Sequence, residues 1–387
     1  MNILRAGLIG TGFMGKAHAV ALHAAPTVFG LHTELVCELL ADVTQERARE
    51  KAAELRFRRS TGDWRELVRD PDVDIVYICT PNHLHYEMAM AALANGKHVF
   101  CEKPLGLSLE QSNDMVLQAE RAGVRTLVGF NYLKNPATAL AAQVIARGEI
   151  GDILHFRGTH TEDYLASADK PWSWRLARAT AGLGALGDLC HIISVAHFLA
   201  GDIVELCADL QIVIPERRDN DSGEVRAVEN EDQAHMMVRF ASGAIGTIEC
   251  SRIAHGRKNG LTYEIVGTKG SLFLDQEDPG ELQLFSPADH GTRQGFRRIL
   301  IGPEHPDYAA FCPAAGHGIG FNDAVIVEVR DLVDSILQQR PAYPDFNAGR
   351  EVDRVMAAAE QSWRQGRWVK LSEFPVPTKF NEEEGTA

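Results

Sequence analysis

A chain of 387 residues exceeds what one ordinary hydrophobic core organises and calls for two domains. With 45% apolar and 24% charged residues, it has the composition of a folded globular protein, not a disordered one. The formal net charge of −14 argues against nucleic acid or an anionic membrane surface as a partner, so any anionic ligand must be met by local donors.

The N-terminal Met1-Asn2-Ile3-Leu4-Arg5 runs straight into an apolar strand, without the parts of a secretory leader. Strand 4–9 is followed by a helix over 16–25 that Pro26 should stop, a strand over 34–41 and a helix over 44–55. Then come an almost wholly apolar strand over 74–79, a helix over 84–94 and a strand over 98–101. A helix over 108–122 has Ser108 as its N-cap, and a short strand spans 126–129. Apolar strands alternating with helices predict a parallel sheet covered on both faces.

Past Asn131 the pattern changes. After a helix over 137–146, strands are expected at 153–159, 204–213, 234–240, 244–251 and 262–266. The turns Ala241-Ser242-Gly243 and Gly267-Thr268-Lys269-Gly270 suggest an antiparallel sheet. One helix over 185–199 interrupts them, and the polar stretch 216–230 reads as a surface loop. Late helices are expected over 323–338 and 349–363, the last returning to the first domain, with a loose tail at 376–387. No apolar run reaches the ~20 residues of a membrane helix. The cysteines (37, 79, 101, 190, 207, 250 and 312) are scattered with no C-x-x-C pair, a usage that predicts buried thiols in the reducing cytoplasm and no structural zinc.

The segment Gly10-Thr11-Gly12-Phe13-Met14-Gly15 carries G-x-G-x-x-G, a weak pattern alone. Here it follows the first strand and opens the first helix, as a dinucleotide-binding Rossmann turn requires. Gly10 allows the tight turn, Gly12 admits a pyrophosphate, Gly15 lets helix and strand close up, and the helix N-terminus supplies free amides. Asp42, at the end of the second strand, suits a ribose 2′-hydroxyl and repels a 2′-phosphate, which favours NAD over NADP. The alternative makes Asp42 a cap of the next helix. Its distance from the glycines is long, as though 26–33 were an insertion.

Thr80, Asn82 and His85 lie in Cys79-Thr80-Pro81-Asn82-His83-Leu84-His85, after an inner strand, where ligands of open α/β sheets bind. The next strand ends in Glu102-Lys103-Pro104, which aims Lys103 at the same crevice; by the residues alone an ordinary surface pair is the simpler reading. In Gly184-Ala185-Leu186-Gly187-Asp188, followed by His191, a three-residue step places acid and imidazole on one helix face. An imidazole with an ordinary pKa of ~6.5 can take a hydroxyl proton at neutral pH; a buried structural histidine fits equally well. Histidines are plentiful, but neither H-E-x-x-H nor a Cys/His cluster occurs, so no metal is expected.

The three motifs G-x-G-x-x-G, C-T-P-N-H-L-H and E-K-P, in this order and spacing, resemble the glucose–fructose oxidoreductase and inositol dehydrogenase (Gfo/Idh/MocA) family. Segments 255–260, 263–270 and 316–320 are most similar to its levoglucosan dehydrogenase-like branch. The resemblance implies an N-terminal Rossmann domain (1–130) and a C-terminal α/β domain with an open, mainly antiparallel sheet (131–375). It implies NAD-dependent oxidation of a secondary alcohol of a sugar, anhydrosugar, glycoside or inositol, in a homodimer or homotetramer. Lys103 and His191 become the catalytic pair with Asp188. The family spaces acid and base by four residues and this chain by three, which turns their relative bearing by about 100°. Trp174 and Arg175 match a pair that approaches the cofactor across the cleft. Glu102 and Asn131 join the cofactor contacts, and Tyr132, His160 and Tyr164 the substrate contacts, with His317 as a weaker candidate. The other reading is a sensor or scaffold that binds nicotinamide cofactor without chemistry; absence of turnover on a polyol panel despite cofactor binding would mark it.

Overall fold

The structure, a computed structural model, describes residues 2–288 and 291–377. The tail expected at 376–387 lies outside them except for its first two residues.

The N-terminal domain places β1 (Asn2–Ile9), β2 (Thr33–Ala41), β3 (Arg59–Thr61), β4 (Ile75–Ile78), β5 (His98–Cys101) and β6 (Thr126–Val128) in one sheet. The order is β3-β2-β1-β4-β5-β6, all parallel. Connecting helices are α1 (Phe13–Phe29), α2 (Gln45–Leu55), α3 (Trp64–Arg69), α4 (His85–Ala94) and α5 (Leu109–Ala122). All four residues of β4 are buried, which explains its unbroken apolar run. The order reverses between β1 and β4, so a crevice opens at their C-terminal ends.

Pro26 does not stop α1. The helix continues to Phe29 and ends at Gly30 in the left-handed conformation. The long step to Asp42 is therefore extra helix, not an inserted loop. Ser108 caps α5 as expected, its side chain accepting from the Gln111 amide.

The second domain opens with α6 (Pro136–Ala146), β7 (Ile153–Thr161), α7 (Arg178–Ala181), α8 (Ala185–Asp188) and α9 (His191–Ala200). It continues with β8 (Ile203–Gln211), β9 (Glu216–Arg218), β10 (Val225–Ala227), β11 (Gln233–Phe240), β12 (Ile245–Ser251), β13 (Gly260–Gly267), β14 (Ser271–Asp275), β15 (Glu281–Phe285) and β16 (Arg297–Leu300). The chain closes through α10 (Tyr308–Phe311), α11 (Phe321–Leu337), α12 (Phe346–Gln365) and β17 (Val369–Lys370). Nine strands form a sheet ordered β16-β15-β14-β13-β7-β12-β11-β8-β17, antiparallel except for the β7–β12 pair.

Two expectations need correction here. The polar stretch 216–230 is not a plain loop. Strands β9 and β10 form a hairpin in which Arg217 is 2% exposed, its guanidinium donating to the Leu165, Ser167 and Lys170 carbonyls. Its polarity serves buried carbonyls, which pattern alone does not separate from a solvated loop. The helix over 185–199 is broken between α8 and α9. The last helix does return to the first domain, packing on α5 and β8 together, and α11 returns as well, along α1.

Candidate active site

A cavity of about 780 Å³ runs along the crevice. At one end lies the β1–α1 turn. Gly10 has φ +90°, and a Cβ there would sit 2.6 Å from the Cys79 carbonyl oxygen. A Cβ on Gly15 would lie 2.0 Å from the Gly10 carbonyl oxygen, so only glycine lets this turn close. Gly12 faces open space, and no side chain caps the first amides of α1. An open cradle at a helix N-terminus fits a pyrophosphate. Thr11, Phe13 and Met14 line the cavity with it.

Asp42 is the acidic wall at the end of β2. Its carboxylate accepts from Thr11 Oγ1 and, at 2.7 Å, from the Val43 amide; Arg47 Nε lies 3.1 Å away. It does not cap α2, because Thr44 does that. Val43, Arg47, Trp64 and Arg65 complete this end, and none was singled out by motif.

At the other end Thr80, Asn82, Glu102, Lys103, Trp174, Arg175 and Asp188 converge. Asn82 Nδ2 donates to the Ala181 carbonyl at 3.0 Å, tying the two domains. The Arg175 guanidinium stacks 4.5 Å from its neighbour Trp174. Lys103 Nζ donates to the Asp188 carbonyl at 2.6 Å and lies 3.7 Å from Asp188 Oδ1. Burial alone would lower the Lys103 pKa, but the neighbouring negative charges, Asp188 first, outweigh it and raise the pKa above its ordinary value. Burial would likewise raise Asp188, yet Lys103, Arg175 and Arg252 hold it low. Tyr164 donates its hydroxyl to Asp188 Oδ2.

Behind this pair sits a cluster of rings. The His191 ring is 4.6 Å from Tyr132 and 5.6 Å from His160. Asn259 donates to the Tyr132 hydroxyl at 3.1 Å, and His160 Nδ1 lies 3.1 Å from the Leu189 carbonyl oxygen. Burial, then the charges of Lys103 and His160, hold the His191 pKa well below the usual histidine range. Its Nδ1 has no hydrogen-bond partner.

Asp188 and His191 do not share a helix face. Asp188 ends α8, His191 begins α9, and the path bends by 47° between them. The break sends the two side chains different ways: the acid turns to Lys103 and Tyr164, and the imidazole joins Tyr132 and His160.

Two expected cofactor contacts fall outside the cavity lining. His85 is fully buried, with Nδ1 2.9 Å from the Pro104 carbonyl oxygen and Nε2 3.0 Å from that of Thr80, so it ties together the two loops that carry Thr80 and Lys103. Asn131 is also buried, its Nδ2 unpartnered. Glu102 pairs with buried His18 at 3.0 Å. His18, Cys79 and Glu102 place ligand-type atoms within 4.8 Å of one another, but the direct His18–Glu102 contact already joins two of the three. His317 does not line this cavity; its amide and carbonyl meet the Tyr308 hydroxyl.

A glycine turn at the switch point, an acid at the end of β2 and an ammonium beyond the end of β5 fit a nicotinamide-dependent oxidoreductase. Residues 4–130 match the oxidoreductase family with an NAD-binding Rossmann fold, and residues 138–273 match the GFO/IDH/MocA C-terminal domain. The chain is 40% identical to a levoglucosan dehydrogenase of Pseudarthrobacter phenanthrenivorans, over 97% of its own length and 100% of the relative's. It is 31% identical to a scyllo-inositol 2-dehydrogenase (NAD(+)) of Bacillus subtilis, over 95% and 96%. A levoglucosan dehydrogenase in complex with NADH and L-sorbose superposes with a TM-score of 0.94 over 98% of this chain and 100% of the other, at 40% identity. An NAD binding oxidoreductase from Klebsiella pneumoniae gives 0.91 at 45% identity, over 95% and 99%. The chain belongs to the GFO/IDH/MocA oxidoreductase family and takes NAD as its cofactor.

Proposed function

We propose that this enzyme oxidises a secondary alcohol of a sugar, anhydrosugar, glycoside or inositol to the ketone. The observation that carries this reading is the Lys103–Asp188 contact at the seam between the NAD cavity and the His191 ring cluster. Bound NAD would supply the hydride acceptor. Gly10, Thr11, Gly12, Phe13 and Met14 would hold the pyrophosphate, and Asp42 the ribose hydroxyls. Thr80, Asn82, Glu102, Trp174 and Arg175 would frame the ring, while His85 and Asn131 would act behind them through the loops.

His191 is neutral at pH 7 and so can accept the hydroxyl proton. Lys103, kept charged by Asp188, donates a hydrogen bond to the same oxygen as negative charge builds on it. Tyr132, His160 and Tyr164 meet the remaining hydroxyls. Relatives named for levoglucosan and for inositols support a cyclic polyol as substrate.

We further infer a cytoplasmic homodimer or homotetramer. Free, largely buried cysteines support the compartment. The outer face of the nine-stranded sheet, where Met237 and Ile245 are 51% and 56% exposed, supports the assembly. No single helix among the described residues is long and apolar enough to cross a membrane.

The test is reduced-nicotinamide absorbance across anhydrosugars, glycosides and inositols. Turnover should fall by about 10²–10³-fold in Lys103→Ala with NADH binding retained. Wild-type protein that binds NAD but oxidises none of these alcohols would overturn the proposal.

A further inference from the structure

Helix α8 is four residues long, too short to hold itself by its own ladder, and its leading amides have no intrahelical acceptor. Three consecutive amides at its start go to one residue outside the cleft, Glu231. Gly184 N donates to Glu231 Oε2 at 2.9 Å, Ala185 N to the Glu231 carbonyl at 2.8 Å, and Leu186 N to Oε1 at 2.9 Å. Glu231 is 4% exposed, and the two segments touch: a Cβ on Gly184 would lie 2.0 Å from the Glu231 carbonyl oxygen. Buried Arg252 donates to that same carbonyl at 2.9 Å and to Asn230 Oδ1 at 3.1 Å. Asn230 Nδ2 in turn donates to the Arg175 carbonyl at 2.9 Å.

We propose that Glu231 is a positioning residue for hydride transfer: by taking the first amides of α8 it sets the height of that helix, and so holds Asp188, at its far end, beside Lys103. This rests on Lys103 and Asp188 acting in the reaction as described above. The carboxylate is suited to the task because it offers two acceptor oxygens to two N–H donors. A glutamine offers one, and its amide N–H would face an N–H. Burial leaves no water to repair that mismatch. Asp188 lies two residues beyond Leu186, so a tilt of one turn reaches it directly, and a shift near 1 Å at a reacting group costs about 10²-fold in rate.

The experiment compares Glu231→Gln, Glu231→Asp and Asp188→Asn. NADH fluorescence titration should give a Kd within about twofold of wild type for all three, because the β1–α1 turn is untouched. In Glu231→Gln, kcat should fall by about 10–100-fold, and the basic limb of the kcat–pH profile should move to lower pH, as in Asp188→Asn. Loss of Asp188 contact removes what holds the Lys103 proton. Glu231→Asp keeps both acceptor oxygens and should recover part of the rate. The 13Cε shift of Lys103 titrates the same group without turnover, so it decides the point even if no substrate is found. Absence of any turnover in wild type sinks the functional reading alone. An unmoved basic limb and an unmoved Lys103 titration in Glu231→Gln overturn the positioning role, whatever happens to the rate. Should Glu231→Gln fail to fold, Glu231→Asp is read the same way.

Discussion

At the end formed by the β1–α1 turn the cleft is walled by main chain. Gly10, Gly12 and Gly15 contribute by having no side chain, and the β1–α1 turn closes because carbonyl oxygens pass within 2.0–2.6 Å of where a Cβ would be. Across the cleft the second domain works the opposite way. Asp188, Tyr164, His160 and His191 are side chains, and behind them buried Glu231, Asn230 and Arg252 hydrogen-bond the start of α8 and the segment that carries Arg175. The first wall depends on local sequence and leaves no room for an added atom at Gly10 or Gly15. The second depends on contacts between distant segments.

That contrast can be broken at either wall. The largest effect is expected from Gly15→Ala, where a methyl group meets the Gly10 carbonyl. It should destabilise the fold by about 1–3 kcal/mol and abolish measurable NAD binding, as read by thermal melting and NADH fluorescence. Asp188→Asn should leave NAD affinity near wild type and lower kcat by about 10²-fold. The pH profile sharpens this case. In wild type burial and the charges of Lys103 and His160 hold the His191 pKa well below the ordinary histidine range, so activity should extend further into acid than a free imidazole would allow. Asp188 helps to hold Lys103 above the ordinary lysine range, so the basic limb should fall beyond that of a free lysine. Removing the Asp188 charge lowers the Lys103 pKa and draws the basic limb downward; a limb that stays put shows that Lys103 is not the titrating group. The smallest effect is expected from Asp42→Ala. Loss of a charged acceptor at the ribose should raise the KM for NAD about tenfold and improve NADP relative to NAD. Unchanged preference in initial-rate assays would remove Asp42 from cofactor selection.

The same contrast explains what could be read from sequence. The parallel sheet and glycine turn were legible because continuous apolar strands and a local motif encode them. Lys103, Asp188 and His191 were singled out as candidates through motif likeness, yet the α8–α9 break was not foreseen, because helical periodicity continues across it. Glu231 sits in Glu229-Asn230-Glu231-Asp232, which reads as a solvated acidic run. Its burial follows only from the crossing with Gly184, 47 residues earlier. The cavity wall of Arg47, Trp64 and Arg65 was missed for a related reason: Arg47 lies on α2 and Trp64 and Arg65 on α3, two separate connections of the sheet.

Helix α11 has a consequence for how the molecule is made. Val325, Ile326, Val329, Leu332, Val333 and Ile336 share one core with Leu4, Ala6 and Leu8 of β1. The Pro344 carbonyl accepts from the Val128 amide on the edge strand β6. The NAD-binding sheet thus leaves the ribosome before the second sheet and is finished after it. Throughout synthesis of the second sheet, a nascent chain carries that apolar face uncovered, and a fragment cut at the end of β6 would remain in that state permanently.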